Sequence, residues 1–238
     1  MSKDPKRAVV PAPRPYPDIV SAFSELGARL IRENIDERYN GLITSGTRRL
    51  EPGFIPPLTE AKVLIVSYYP NASDLDAPGS PAYEAMRKNF LAWGTTGDVA
   101  DYAAAYSDWL QSLDRIPFHR SRTKPILEDA GLTNSDIGWL PFVKAPLPAG
   151  SSPGDDLMDI DIDVVWEQLQ LIKPRILWIQ GIGISDRVIR LAKGRITDQI
   201  LPPQSVSQYE NSSKQRAEKA RIATRLREYL GDASLPSE

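Results

Sequence analysis

Cysteine is absent from the 238 residues, and histidine occurs once. The first absence excludes disulfides, thiolate nucleophiles, iron–sulfur clusters and Cys-ligated zinc. The second removes His-pair metal sites and leaves a Ser–His hydrolase only if His119 is its base. Long apolar runs are also missing: stretches such as Ile176–Ile179 fall far short of a membrane span. Neither charge sign dominates, with 29 basic and 31 acidic side chains and a net charge of −2. A basic field over the whole surface is thereby excluded, and any nucleic-acid contact needs a local patch. The N-terminal stretch Met1–Pro17 is charged and Pro-rich with no apolar segment, so it is not expected to act as a secretory signal; the cytoplasm is the default compartment. What is present, 41% hydrophobic and 25% charged residues, is the composition of a globular protein long enough for one α/β domain.

Proline is frequent, and five prolines fall between Pro5 and Pro17. Proline blocks helix and restricts its predecessor, so residues 1–17 are expected to form an extended arm, available to a protein partner. Residues 18–238 are expected to form a single domain. Asp18 is placed as an N-cap, with Ile19, Val20, Phe23, Leu26, Leu30 and Ile31 at helical spacing over 18–34. A short helix over 36–44 and a loop over 51–59 follow. Lys62–Ser67 is nearly all apolar and β-branched, the pattern of a strand buried on both faces. Helices are predicted over 81–93, 98–113 and 121–131, the last stopped by Gly131. Strands follow at 136–143, 175–180 and 197–201, and helices at 155–172, 184–193 and 212–230. Alternating helices and buried strands predict an α/β fold, a three-layer α/β/α sandwich on a mostly parallel sheet of about four strands. Ligands of such sheets bind beyond the carboxyl ends of the strands. The loops 67–74, 144–154 and 181–184 leave those ends, and 202–205 is expected to join them.

Five constellations carry candidate chemistry. Ser67-Tyr68-Tyr69-Pro70-Asn71-Ala72-Ser73-Asp74 offers aromatic faces for a planar ligand, and an amide and a carboxylate to orient water. Arg115, His119, Arg120, Arg122 and Lys124 form a basic segment suited to phosphates, or simply a solvated surface. Asp155, Asp156, Asp159, Asp161 and Asp163 lack the glycine and terminal glutamate of a calcium loop and read as a solvated helix N-terminus. Gly181-Ile182-Gly183 lacks the third glycine of a dinucleotide fingerprint, since position 186 is Asp, and reads as a tight strand-to-helix turn. The terminal helix carries Lys214, Arg216, Lys219, Arg221, Arg225 and Arg227 as a basic face. No metal or cofactor is expected.

The segment Gly131-Leu132, Asp136-Ile137 and Lys144, followed by a helix and then Leu171-Ile172-Lys173-Pro174-Arg175-Ile176 and an apolar strand ending at Gly181, resembles the uracil-DNA glycosylase superfamily. The pattern is most similar to that of its bacterial and archaeal iron–sulfur branch, without the cluster cysteines. The resemblance spans roughly 60 to 205 and implies a DNA-repair hydrolase that flips a base into a pocket and cleaves its N-glycosidic bond. It also implies a role for particular positions. Tyr68 and Tyr69 stand where the family carries its water-positioning acid or amide, and Pro70 is retained from that motif. Pro141 stands at the pocket asparagine that reads the base. Pro203-Gln204-Ser205 stands at the closing His-Pro-Ser motif.

These departures point to an altered or modified base rather than plain uracil. Tyr68, Tyr69, Pro70 and Pro141 are expected around the base. Asn71 and Asp74 are expected to take over the positioning of water. Lys144, Gln204 and Ser205 are expected at the DNA backbone with Arg120 and Arg122. The alternatives are the same fold with catalysis lost, binding DNA or a modified base, or a protein-interaction module.

Overall fold

Val63–Ser67, here β1, is buried through Val66, as its apolar β-branched run predicts for a strand with neighbours on both sides and both faces. The computed structural model of the chain describes residues 14–43, 49–68, 81–116, 118–147, 154–203 and 212–231. Among them lie three more strands, β2 (Ile137–Pro141), β3 (Ile176–Gln180) and β4 (Gln199–Leu201). The four form one all-parallel sheet in the order β2-β1-β3-β4.

The helices are α1 (Tyr16–Arg32), α2 (Ile35–Arg38), α3 (Pro81–Thr96), α4 (Val99–Ser112), α5 (Lys124–Asp129), α6 (Asp155–Ile172), α7 (Ile182–Ala192) and α8 (Ser212–Gly231). They flank the sheet as a three-layer α/β/α sandwich, with α6 packed on α7 and α5 packed on α8. No described helix is long and apolar enough to cross a membrane.

Most predicted boundaries shift by one to three residues, and two of the differences have a clear physical reason. The extended arm was expected to reach residue 17, yet α1 begins at Tyr16, with Pro15 as its N-cap residue and Pro17 in the first turn. The first amides of a helix have no intrahelical acceptor, so a proline there costs nothing, and Asp18 serves the first turn rather than the cap. Residues 1–13 of the predicted arm lie outside the described residues. The helix expected over 36–44 is a single turn, ended by Asn40 and Gly41, both at positive φ.

The loop at 51–59 has a structural use that its composition does not disclose. Phe54 and Trp139 exchange both backbone hydrogen bonds at 2.7 Å, so the segment lies antiparallel along the outer edge of β2 and covers it. Gly53 makes the approach possible. Its φ is +97°, and a Cβ there would stand 2.4 Å from the Trp139 carbonyl oxygen. Phe54 then stacks on Trp109 at 5.1 Å between centroids, and Trp109 stacks on Trp139 at 6.2 Å. Trp139 closes the chain by donating from Nε1 to Ser67 Oγ at 2.8 Å, which ties this aromatic layer to the carboxyl end of β1.

Candidate functional site at the carboxyl ends of the strands

The sheet order fixes where a ligand site falls. From β1 the chain crosses to β2 on one side of it, and from β2 it returns to β3 on the other side and moves on to β4. With right-handed crossovers, the connections leaving β1 and β3 lie on opposite faces. The carboxyl ends of these two neighbours are therefore the switch point, the place where open α/β sheets bind ligands in a crevice. Register makes the ends flush: Ser67 pairs with Pro141 on one side and Gln180 on the other.

Tyr68 follows β1 directly into this crevice. Its backbone is held because Val143 N–H donates to the Tyr68 carbonyl at 3.0 Å and Phe142 N–H to the Ser67 carbonyl at 2.8 Å. Its ring crosses to the turn after β3. A Cβ on Gly183 would stand 2.5 Å from Tyr68 Oη and 2.9 Å from Cζ, so the phenol occupies the space a side chain would need. The Gly181-Ile182-Gly183 sequence is the tight strand-to-helix turn that its spacing predicts, and its second glycine also receives the Tyr68 ring. The structure thus brings together Tyr68, Pro141 and the 181–183 turn, with Ser67 and Gln180 between them.

Gln180 was not a predicted site residue. Its Nε2 donates to Thr123 Oγ1 at 3.1 Å, which fastens the segment His119–Thr123 to the carboxyl end of β3. A single polar residue ending an otherwise apolar strand was the signal available. Arg120 and Arg122 lie on that fastened segment, Arg120 exposed and Arg122 with its guanidinium 5.6 Å from the Phe118 ring centroid. His119 is buried, with Nε2 2.8 Å from Asn134 Oδ1, and burial lowers its pKa. Tyr69, Pro70, Asn71, Asp74, Gln204 and Ser205 lie outside the described residues.

Lys144, expected at a phosphate, is fully buried behind the end of β2. Its Nζ donates to the Pro141 carbonyl at 2.6 Å and to Gln168 Oε1 at 2.7 Å, so it faces protein rather than DNA. The reason is Asp161, a member of the acidic run that was read as solvated. Asp161 is also fully buried and accepts from Arg38 Nε at 2.9 Å, from the Lys144 backbone amide at 2.7 Å and from the Tyr39 hydroxyl. Gln168 completes the network by donating to the Pro52 carbonyl at 2.7 Å. This lattice joins α2, α6, the loop before β1 and the chain after β2, and so fixes the Pro141 end of the crevice. The remaining acids divide differently: Asp155 and Asp159 both pair with Arg187 on α7. No group of three or more metal-ligating side chains occurs among the described residues.

Burial pulls the Lys144 ammonium down to about 7, against the opposing attraction of Asp161. An unfolded chain holds that proton up to the ordinary lysine range, so between the two values the folded state binds fewer protons. Stability to urea is therefore expected to rise with pH above about 7. Above about 10 the trend reverses, because burial raises the Tyr39 and Tyr102 pKa values and only the unfolded chain ionises there. Urea midpoints measured from pH 6 to 11 check this, and Lys144→Met should flatten the rising limb. An unchanged slope in that variant would assign the rise to another group.

The chain matches no protein-family model and no curated protein.

Proposed function

We propose that this protein is a divergent DNA glycosylase-like enzyme that hydrolyses the N-glycosidic bond of an altered or modified base. The observation that carries the reading is Tyr68 at the carboxyl ends of β1 and β3, its ring lodged on Gly183, with the buried Pro141 paired to the preceding Ser67 on the other side of β1. An extruded base needs an aromatic or apolar wall to replace the stacking it leaves, and a tyrosine at a sheet switch point supplies one. The sequence pattern on which the resemblance rests, from Gly131 to Gly181, spans β2, α6 and β3.

Cleavage develops positive charge on the sugar, so a water-positioning or charge-stabilising group must stand beside it. Asn71 and Asp74, on the loop that Tyr68 begins, are assigned that role. Arg120 and Arg122, on the segment tied to β3 by Gln180, are assigned to the DNA backbone.

A second reading is favoured by one observation. Among the described residues at these strand ends, Ser67, Tyr68, Pro141 and Gln180, none is a carboxylate. The same fold would then bind DNA or a modified base without cutting it.

Excision from end-labelled oligonucleotides separates the two. Each oligonucleotide carries one uracil, hypoxanthine, xanthine, hydroxymethylated or glucosylated base, and alkali reveals abasic sites. Abasic sites at one altered base are expected. An intact panel with folded protein would overturn the hydrolytic reading.

A further inference from the structure

The segment His119–Thr123 is a π-helical turn in which the Lys124 amide donates to the His119 carbonyl, five residues back. Such turns are scarce and recur at functional sites. This one has two distinct sides. Inward, His119 and Thr123 are buried, and their side chains are bonded to Asn134 and Gln180. Outward, Phe118 is 47% exposed beneath the Arg122 guanidinium, and Arg120 is open to solvent. Among the described residues no carboxylate pairs with Arg120 or Arg122, whereas nearby Lys124 is neutralised by Asp114 at 2.8 Å. The terminal helix α8 extends the surface, since Lys219 Nζ donates to the Ser121 carbonyl at 2.6 Å and seats a third cation on the turn. In a chain of net charge −2 this is a local concentration rather than a general bias.

We propose that this turn, with Phe118 as a stacking platform and Arg120, Arg122 and Lys219 as phosphate contacts, binds a single-stranded segment of nucleic acid beside the β1/β3 crevice. An exposed ring beside guanidinium groups that pair with no carboxylate among the described residues matches a ligand that offers a bare base face and phosphates together. A duplex presents the phosphates but keeps its base faces stacked, which leaves Phe118 idle. An acidic peptide answers the charges alone. The proposal rests on the nucleic-acid part of the reading above but not on its chemistry: binding is measured without excision, so each can fail by itself.

The test uses the full chain and fluorescence anisotropy with labelled oligo-dT, the matching duplex and oligo-rU, over a range of salt. Oligo-dT is expected to bind more tightly than the duplex. Phe118→Ala should weaken oligo-dT binding about tenfold or more at an unchanged salt slope, and Phe118→Tyr should restore it. The double variant Arg120→Ala, Arg122→Ala should instead lower the salt slope by about 1 to 2. Phe118 and Arg120 are exposed and Arg122 is half-buried, so urea midpoints should hold closely and separate lost contacts from lost folding. Equal binding of oligo-rU supports the surface and shows that the sugar is not read; binding of oligo-rU alone supports the surface and contradicts a DNA substrate. Phe118→Ala binding oligo-dT as the unmodified chain does would overturn the proposal. So would preference for the duplex, or displacement of oligo-dT by polyglutamate at equal charge concentration.

Discussion

Asp161→Ala is expected to cost about 3–5 kcal/mol of folding stability, a large part of what a domain of this size possesses. The carboxylate has no exposure and is the common acceptor for a guanidinium, a phenol and a backbone amide. Its removal strands Arg38, whose side chain is only 14% exposed, with Glu33 as its other acid partner. It also leaves the Lys144 ammonium without the negative charge that offsets its burial. Breaking a buried charge network by deleting one member is costly for this reason: the surviving charges remain desolvated. Asp159→Ala is the control. Asp159 lies two residues away, is 65% exposed and pairs with Arg187 at 3.3 Å, so its loss should cost less than about 1 kcal/mol. Urea unfolding of both variants checks the contrast, and equal losses would mean that the buried network contributes no more than a surface pair.

The second large effect concerns function rather than stability. Gly183→Ala places a methyl group where Tyr68 Oη now stands 2.5 Å away, and the ring must leave. Tyr68 is half-buried, and the clash falls on its side chain rather than on backbone. The substitution also replaces a glycine near the start of α7 with the best helix former, a gain of up to about 1 kcal/mol. The thermal midpoint is therefore expected to stay level or rise slightly. The base, however, loses the wall assigned to it, and displacements of this size cost roughly 10²-fold in rate. Single-turnover excision and differential scanning calorimetry read the two quantities separately. A variant that unfolds early would show that Tyr68 packs for stability; one that keeps full excision would remove Tyr68 from the base-binding wall.

The order of elements was legible because each relies on a local signal. The buried strands announce themselves as short β-branched runs at Val63–Val66 and Ile176–Ile179, and α6 spans the 155–172 that its acids and apolar spacing predict. The network around Asp161 was less legible, because it is made by residues far apart in the chain. Arg38 and Tyr39 reach Asp161 across more than a hundred residues, and nothing near either segment encodes the meeting. One signal was present: Met158, Asp161, Val165, Gln168 and Leu169 share the buried stripe of α6, so two polar residues fall on a core-facing face. That periodicity marks Asp161 off from Asp155 and Asp159, which the acidic run alone does not. Lys144 was misplaced for a related reason. A lysine after a strand is read as exposed, and only the acceptors waiting at Pro141 and Gln168 make its burial tolerable. At the crevice, the tyrosines and glycines were readable as residues, but the fit of Tyr68 on Gly183 arises from the pairing of β1 with β3.

The single-turnover rate of base excision by the unmodified chain, beside those of Asn71→Ala and Asp74→Ala, tests the central claim that the crevice between β1 and β3 acts on a base. The expected result is abasic-site formation at one altered base, with at least one of the two variants slowed by about 10²- to 10⁴-fold, the usual contribution of a group that handles the attacking water. Excision at the unmodified rate by both variants would contradict it, since water would then be positioned from somewhere other than the loop that follows β1.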